Sequence, residues 1–294
     1  MGTGKEMRLK PPIYVCALFL AASVAWGQSP YSSSADFAKY AMKLRENALL
    51  KIEPQVVVPT SRPSLFQGRY PWKTGIVTTV FWAGERPTAN NPTPNHASSW
   101  DPYWAQNYGG FDDPDPSARR GYYPARFTPQ LNPFYCALPY NDVTHGQTKP
   151  EAPRVIPWFK QAFAKWGSSV CHNRWIAIQN PRTGRMAYAQ WSDCGPFRTD
   201  HWQYVFGNER PKMNMNHGAG LDVSPAVRDY LGLNSSMDVT NWKFVEYREI
   251  PAGPWSRYGE NNDFVLNSRR SNERVVRETA TSSGRNGGPT VIIK

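Results

Sequence analysis

The sequence predicts a mainly β domain, and two strand-like runs and a hairpin predict it. Residues 75–82, Gly-Ile-Val-Thr-Thr-Val-Phe-Trp, are rich in β-branched and aromatic side chains. Residues 174–179 and 185–192 flank the turn-forming Asn180-Pro-Arg-Thr-Gly184 and read as a hairpin. Its second arm sets Met186, Tyr188 and Gln190 against Ala187, Ala189 and Trp191, the two-residue period of a strand. Residues 241–247 alternate again, with Trp242, Phe244 and Glu246 opposed to Lys243 and Val245.

The chain begins with Lys5, Arg8 and Lys10, an apolar run over 13–24, and Ala25-Trp26-Gly27. This pattern predicts a secretory signal peptide over 1–27; the other reading, a membrane anchor, needs a longer apolar run. A secreted or periplasmic location follows, without stable membrane insertion. Residues 28–72 are expected to hold a helix over 34–51, with Phe37, Tyr40, Ala41, Leu44 and Ala48 on one face, expected to pack on the β domain. A linker with Pro54, Pro59 and Pro63 follows. The β domain is assigned to 73–258. Within it, 86–133 is a long insertion rich in Pro, Asn, Asp, Trp and Tyr that could wall a groove or only cover the surface. Residues 134–138 are a short apolar strand, and 157–166 a helix with Trp158, Phe159, Ala162, Phe163 and Trp166 on its apolar side. Gly195-Pro196 ends the hairpin's second strand, because glycine frees the backbone and proline removes a donor. Ser224, Pro225 and Gly232 mark the N-cap, first position and end of a helix. Residues 259–294 are polar and Arg-rich, and are expected to be a disordered basic tail.

Aromatic residues make up 14% of the chain and prolines number 27, which suits a loop-rich soluble protein with exposed rings. The net charge is +11, and loss of 1–27 would remove three cations and one anion from it. Such a charge attracts anionic partners, cell-wall polymers or lipid headgroups, or serves solubility alone. Export disfavours nucleic acid as a partner. The histidines show no metal-ligand spacing, so neither metal nor cofactor is expected. Beyond the leader the cysteines are Cys136, Cys171 and Cys194. An oxidising compartment favours one bridge, and Cys171 with Cys194 is preferred because they flank the hairpin. Cys194 as a nucleophile is the lesser alternative.

Two blocks, Asp193-Cys-Gly-Pro-Phe197 and Asp222-Val-Ser224, follow the hairpin, and Leu138-Pro139 precedes it. In this order they resemble the double-psi β-barrel of rare lipoprotein A over roughly residues 134–247. Ala189-Gln190 before the first block also resembles membrane-bound lytic transglycosylase A. The resemblance implies a six-stranded double-psi β-barrel with an N-terminal helix, short peripheral helices and long loop insertions. It implies action on a cell-wall polysaccharide, foremost peptidoglycan, with Asp193 at the catalytic carboxylate. In the related family 45 endoglucanases and expansins, the position of Asp222 lines the groove, and in the endoglucanases it is the general acid. One departure stands out. Rare lipoprotein A has a functional His just before its Leu-Pro, where this chain has Phe134-Tyr-Cys-Ala-Leu138.

On its own residues, Asp193 at a strand end, beside Trp191 and Phe197, could keep its proton by desolvation and act as an acid, or could cap the next turn. Asp222 could orient substrate or favour a helix entrance. Glu85, Asp142 and Asp200 are possible carboxylate partners. Trp82, Tyr135, Trp191, Phe197 and His217 are the candidate substrate contacts, with Trp104, Trp175 and Trp202 as further ring platforms; for each ring, packing is the competing role. A non-catalytic, expansin-like wall-binding protein is the alternative to an enzyme.

Overall fold

A computed structural model describes residues 39–44, 69–88, 91, 93–234 and 236–285. The chain divides into two units, 1–53 and 54–294. In the first, residues 39–44 form a helix, α1, on which Tyr40, Met42 and Leu44 are exposed. The segment expected to be a signal peptide, 1–27, and most of the expected linker lie outside the described residues.

The second unit contains a closed six-stranded barrel of mixed strand direction. Its strands are β1 (Lys73–Val80), β4 (Tyr135–Leu138), β7 (Trp175–Gln179), β8 (Met186–Cys194), β9 (Leu221–Val223) and β10 (Met237–Phe244), in the order β1-β10-β7-β8-β4-β9. Two neighbouring pairs, β1 with β9 and β4 with β8, are parallel. The others are antiparallel. Two small hairpins lie outside the barrel: β2 (Arg119–Arg120) with β3 (Tyr123–Pro124), and β5 (Val143–Thr144) with β6 (Gln147–Thr148).

Alternation decides what fills the barrel. Ile76, Cys136, Leu138, Ile176, Ile178, Ala187, Ala189, Trp191, Leu221, Val223 and Trp242 are buried in one cluster. Two large indoles, Trp191 and Trp242, share this core with the small side chains of Ala187 and Ala189; burying one such ring stabilises by roughly 1.5–3 kcal/mol or more. The Trp242 indole N–H donates to the Tyr204 hydroxyl at 2.7 Å, so its polar end is satisfied. Helix α6 (Pro225–Leu231) adds Ala226, Val227 and Leu231 to the same core. Its ends follow the capping expectation: the Ser224 hydroxyl accepts from Val227 N–H at 3.3 Å, and Gly232 closes it at φ 65°.

A second apolar cluster lies on the other face of β4. Phe81, Ala83, Trp104, Tyr108, Tyr135 and Ala137 pack there, with Trp104 and Tyr108 contributed by α2 (Trp104–Tyr108) of the insertion. The insertion is thus ordered over its described residues and covers one outer wall of the barrel.

Several expectations are corrected. The helix over 157–166 is reduced to α4 (Phe159–Ala162), next to the short α3 (Ala152–Val155); Phe163 is extended, and Trp166 is 68% exposed rather than packed. Trp158 offers α4 no side-chain cap, and Gly167 breaks the chain at φ 80°. A further single turn, α5 (Trp202–Val205), lies in the loop after β8. The segment 221–223, read only as a helix approach, is a barrel strand. The tail is not wholly irregular: α7 runs over Asp263–Arg285. Its first turns dock on the barrel, where Asp263 accepts from the Trp175 indole at 2.7 Å and Phe264 meets Tyr247 edge-on at 4.8 Å. The domain also starts before residue 73, because Tyr70 packs on Trp158 and Phe244.

Candidate functional site

Strand register brings the two aspartates together. Thr79 pairs with Asp222, Asp222 with Ala137, and Ala137 with Asp193. One row thus crosses β1, β9, β4 and β8, and register partners present their side chains on the same face of a sheet. Asp193 and Asp222 flank a methyl group, with their Cα atoms two strand spacings apart, about 10 Å. Gly195 lies beside them: a Cβ there would sit 3.4 Å from Asp222 Oδ2 and 3.9 Å from the Ala137 methyl. A larger residue at 195 would press on the Asp222 carboxyl group.

A bulge puts Asp193 in that row. Cys136 pairs with Trp191 but the next residue, Ala137, pairs with Asp193, so Ser192 is the extra residue. Without it, Asp193 would share the inward face of Ala187, Ala189 and Trp191. The bulge reverses the phase and turns the carboxylate outward. Trp191 is fully buried inside the barrel and donates its indole N–H to the Asp193 carbonyl at 2.8 Å. It therefore supports the backbone of Asp193 instead of walling its carboxyl group.

The cover over Asp193 comes from the insertion. Asp193 Oδ1 accepts from the backbone N–H groups of Ser99 and Cys194, each at 2.7 Å. The Ser99 loop is pinned by Trp100, which stacks on His172 at 5.2 Å, meets Trp191 at 5.6 Å and donates to Asn141 at 2.9 Å. Burial pushes the Asp193 carboxyl up to about 6, against the lowering effect of these hydrogen bonds. Asp222 is pushed up further, to about 7. Burial is the largest cause, the Thr79 hydroxyl opposes it, and the charges of Asp193 and Glu85 add to it. Glu85, at the mouth of the insertion, is itself buried and raised by desolvation, with Asn91 and Asn95 donating to Oε2 at 3.0 and 2.7 Å. At neutral pH Asp193 is mostly ionised while Asp222 still carries a proton in about half of the molecules, so Asp222 is the stronger claimant.

The other expected site residues are scattered. Tyr135 and Trp191 are 1% and 0% exposed and are packing residues here; Tyr135 donates to Asp112 at 2.8 Å and accepts from Ala83 N–H. Trp104 and Trp175 are likewise buried. Trp82 is half-buried, close to Glu85 in sequence, and its indole nitrogen has no protein partner. Phe197 is 45% exposed, two residues beyond Gly195. His217 is exposed on the loop before β9. Asp142 is a structural acid that accepts from Ser169 and Val170, each at 2.6 Å, and Asp200 pairs with Arg198 at the surface. The expected Cys171–Cys194 bridge is absent. Both are thiols, as is Cys136, and Cys194 donates to the Tyr140 carbonyl at 3.1 Å. Among the described residues, no group of three His, Cys, Asp or Glu side chains is arranged to hold a metal ion, and no helix is long and apolar enough to cross a membrane.

Thr79, Ser99 and Ala137 belong to the site without having been expected there. Their side chains carry no chemical signal; their place follows from pairing across strands distant in sequence. Neither the protein-family models nor the curated proteins compared with the chain match it.

Proposed function

We propose that the barrel is a double-psi β-barrel and that the exported protein cleaves a cell-wall polysaccharide, foremost peptidoglycan, with Asp193 and Asp222 as its acid–base pair. The observation that carries this reading is the row Thr79–Asp222–Ala137–Asp193, two carboxyl groups of unequal proton affinity on one outward face. The two parallel pairs, β1/β9 and β4/β8, need connections that cross the barrel, which agrees with a double-psi path.

The chemistry follows from the unequal pair. Asp222 holds a proton near neutrality and gives it to the glycosidic oxygen as the C1–O bond breaks. Asp193, ionised first, faces the oxocarbenium-like centre and stabilises it. It then takes the proton of the attacking hydroxyl. If that hydroxyl is the sugar's own 6-hydroxyl, the product is an anhydro-sugar end; if it is water, the product is a reducing end. Partly exposed Phe197 and Trp82 are the rings available to pack on sugar faces.

One observation favours a second reading. Strand β4 carries no His where rare lipoprotein A has its functional one, and its Tyr135 is buried. A groove without that group suits an expansin-like protein that binds wall glycan without cutting it. Incubation of purified peptidoglycan strands with the protein, followed by mass spectrometry, decides between them. Anhydro-sugar ends are expected; water-added reducing ends would keep the acid–base pair but make the reaction hydrolysis. Retention of the strands without new ends would overturn cleavage in favour of the binding protein.

A further inference from the structure

We infer a second ligand site, a groove that binds an anionic glycan, formed by the β2–β3 hairpin with the bend after it, residues 125–129, and the turn around Pro254. The groove has a volume of 860 Å³ and its lining includes Arg120, Tyr122, Tyr123, Arg126, Arg257 and Tyr258. It shares no residue with the Asp193–Asp222 row, and its ligand is independent of whether that row cleaves anything.

The groove is preformed. Arg119, at the base of the hairpin, is buried against Asp112 at 2.6 Å and donates to the Tyr122 carbonyl at 2.6 Å. The two walls are tied by the Tyr123 hydroxyl, which donates to the Pro254 carbonyl at 2.9 Å, and Tyr123 meets Tyr258 edge-on at 4.9 Å. Trp255, next to Pro254, is buried against Phe134 of the core. Binding therefore needs little ordering of the backbone.

Its charge is one-sided. Arg120, Arg126 and Arg257 are exposed, and the lining contains no Asp or Glu. None of the three forms an ion pair among the described residues. Arg257 instead lies 5.7 and 5.2 Å from the ring centres of Tyr123 and Tyr258. Like charges gathered without a counterion favour an anion, and guanidinium groups read carboxylate and phosphate oxygens through paired N–H donors. Tyrosine faces beside them match the apolar face of a sugar ring. Carboxylate and phosphate are equivalent to this geometry, so the chemical class is a saccharide carrying either.

The test is calorimetric titration of the full chain with three probes: an oligogalacturonate, a phosphomannan oligosaccharide and a neutral chito-oligosaccharide. At least one anionic probe should bind, and the two arms show which anion is preferred. The substitutions Arg126→Gln and Arg257→Gln together should weaken that binding on the order of tenfold or more, because charge-assisted contacts are lost. Lys165→Gln with Lys212→Gln removes equal charge from exposed positions outside the groove and should leave it unchanged. Asp193→Asn and Asp222→Asn should also leave it unchanged, so failure of the cleavage proposal would not disturb this result. The inference is overturned if neither anionic probe binds, if the lysine and arginine pairs weaken binding equally, or if inorganic phosphate competes as well as the saccharide itself.

Discussion

The two faces of β4 and β8 are made by the same short strands, yet they treat polar groups in opposite ways. Inside the barrel, Cys136, Leu138, Ala187, Ala189 and Trp191 form a buried apolar core. On the outer side lie three acids: Asp193 and Asp222 on the strands, and Asp112 on the insertion that packs there. Comparison within that outer face is the most instructive. Burial raises both Asp112 and Asp222. Asp112, however, has the Arg119 guanidinium and the Tyr135 hydroxyl against its oxygens. Asp222 has one hydroxyl, from Thr79, and the charges of Asp193 and Glu85 nearby. A buried carboxylate beside a cation is a structural pair; one beside other carboxylates holds a proton it can give away.

The largest expected effect lies on the Asp222 side. Asp222→Asn keeps the shape and removes the titrating group, and should lower the glycan-cleavage rate by about 10²–10⁴ with binding retained. Asp193→Asn should act similarly. Steady-state kinetics beside a stability measurement checks both, and a folded Asp222→Asn protein with full turnover would end the contrast with Asp112.

On the Asp112 side the expected loss is of stability. Arg119→Met leaves Asp112 uncompensated and should cost about 3–5 kcal/mol in urea unfolding. Adding Asp112→Asn should recover a good part of that, since the stranded charge is then gone. Recovery distinguishes an ion pair from simple packing around the Arg119 stem.

The pH dependence sharpens the contrast further. Because the folded Asp222 carboxyl keeps its proton up to about 7 while the unfolded one loses it near 3.8, the folded state binds more protons in between. Stability should therefore be full below about pH 4 for this group and fall as pH rises toward 7. Asp193 adds the same sign up to about 6. Asp222→Asn should flatten this slope in thermal melts across the range. In the wild type, the cleavage rate should trace a bell with limbs near 6 and 7, values that belong to the coupled pair.

The smallest effect concerns the helix after Asp222. Ser224→Ala removes the N-cap of α6 and should cost about 1 kcal/mol in the unfolding midpoint. It should leave both limbs of the pH profile in place. A shift of either limb would tie the cap to the carboxylate row.

The sequence by itself determined the features that local chemistry controls. The hairpin around Asn180–Gly184 and the caps of α6 follow from turn geometry and residues a few positions apart, and the approximate strands over 75–82, 134–138 and 241–247 follow from alternation and β-branching. Local reasoning overreached where the partners are distant. Residues 157–166 have a helical apolar face but lack caps, and the polar tail forms α7, whose first residue, Asp263, is held by Trp175, far back in the chain. Tertiary structure alone decided the site. Which face Asp193 occupies depends on the extra residue Ser192, and that bulge exists only in register with β4, about fifty residues earlier in the chain. Asp193 and Asp222 meet across Ala137, whose methyl group carries no chemistry that a sequence could advertise. Burial raises both carboxyl groups; the backbone N–H groups of Ser99 and Cys194 hold Asp193 lower, while the charges of Asp193 and Glu85 push Asp222 higher, and all of these arise only when the barrel closes.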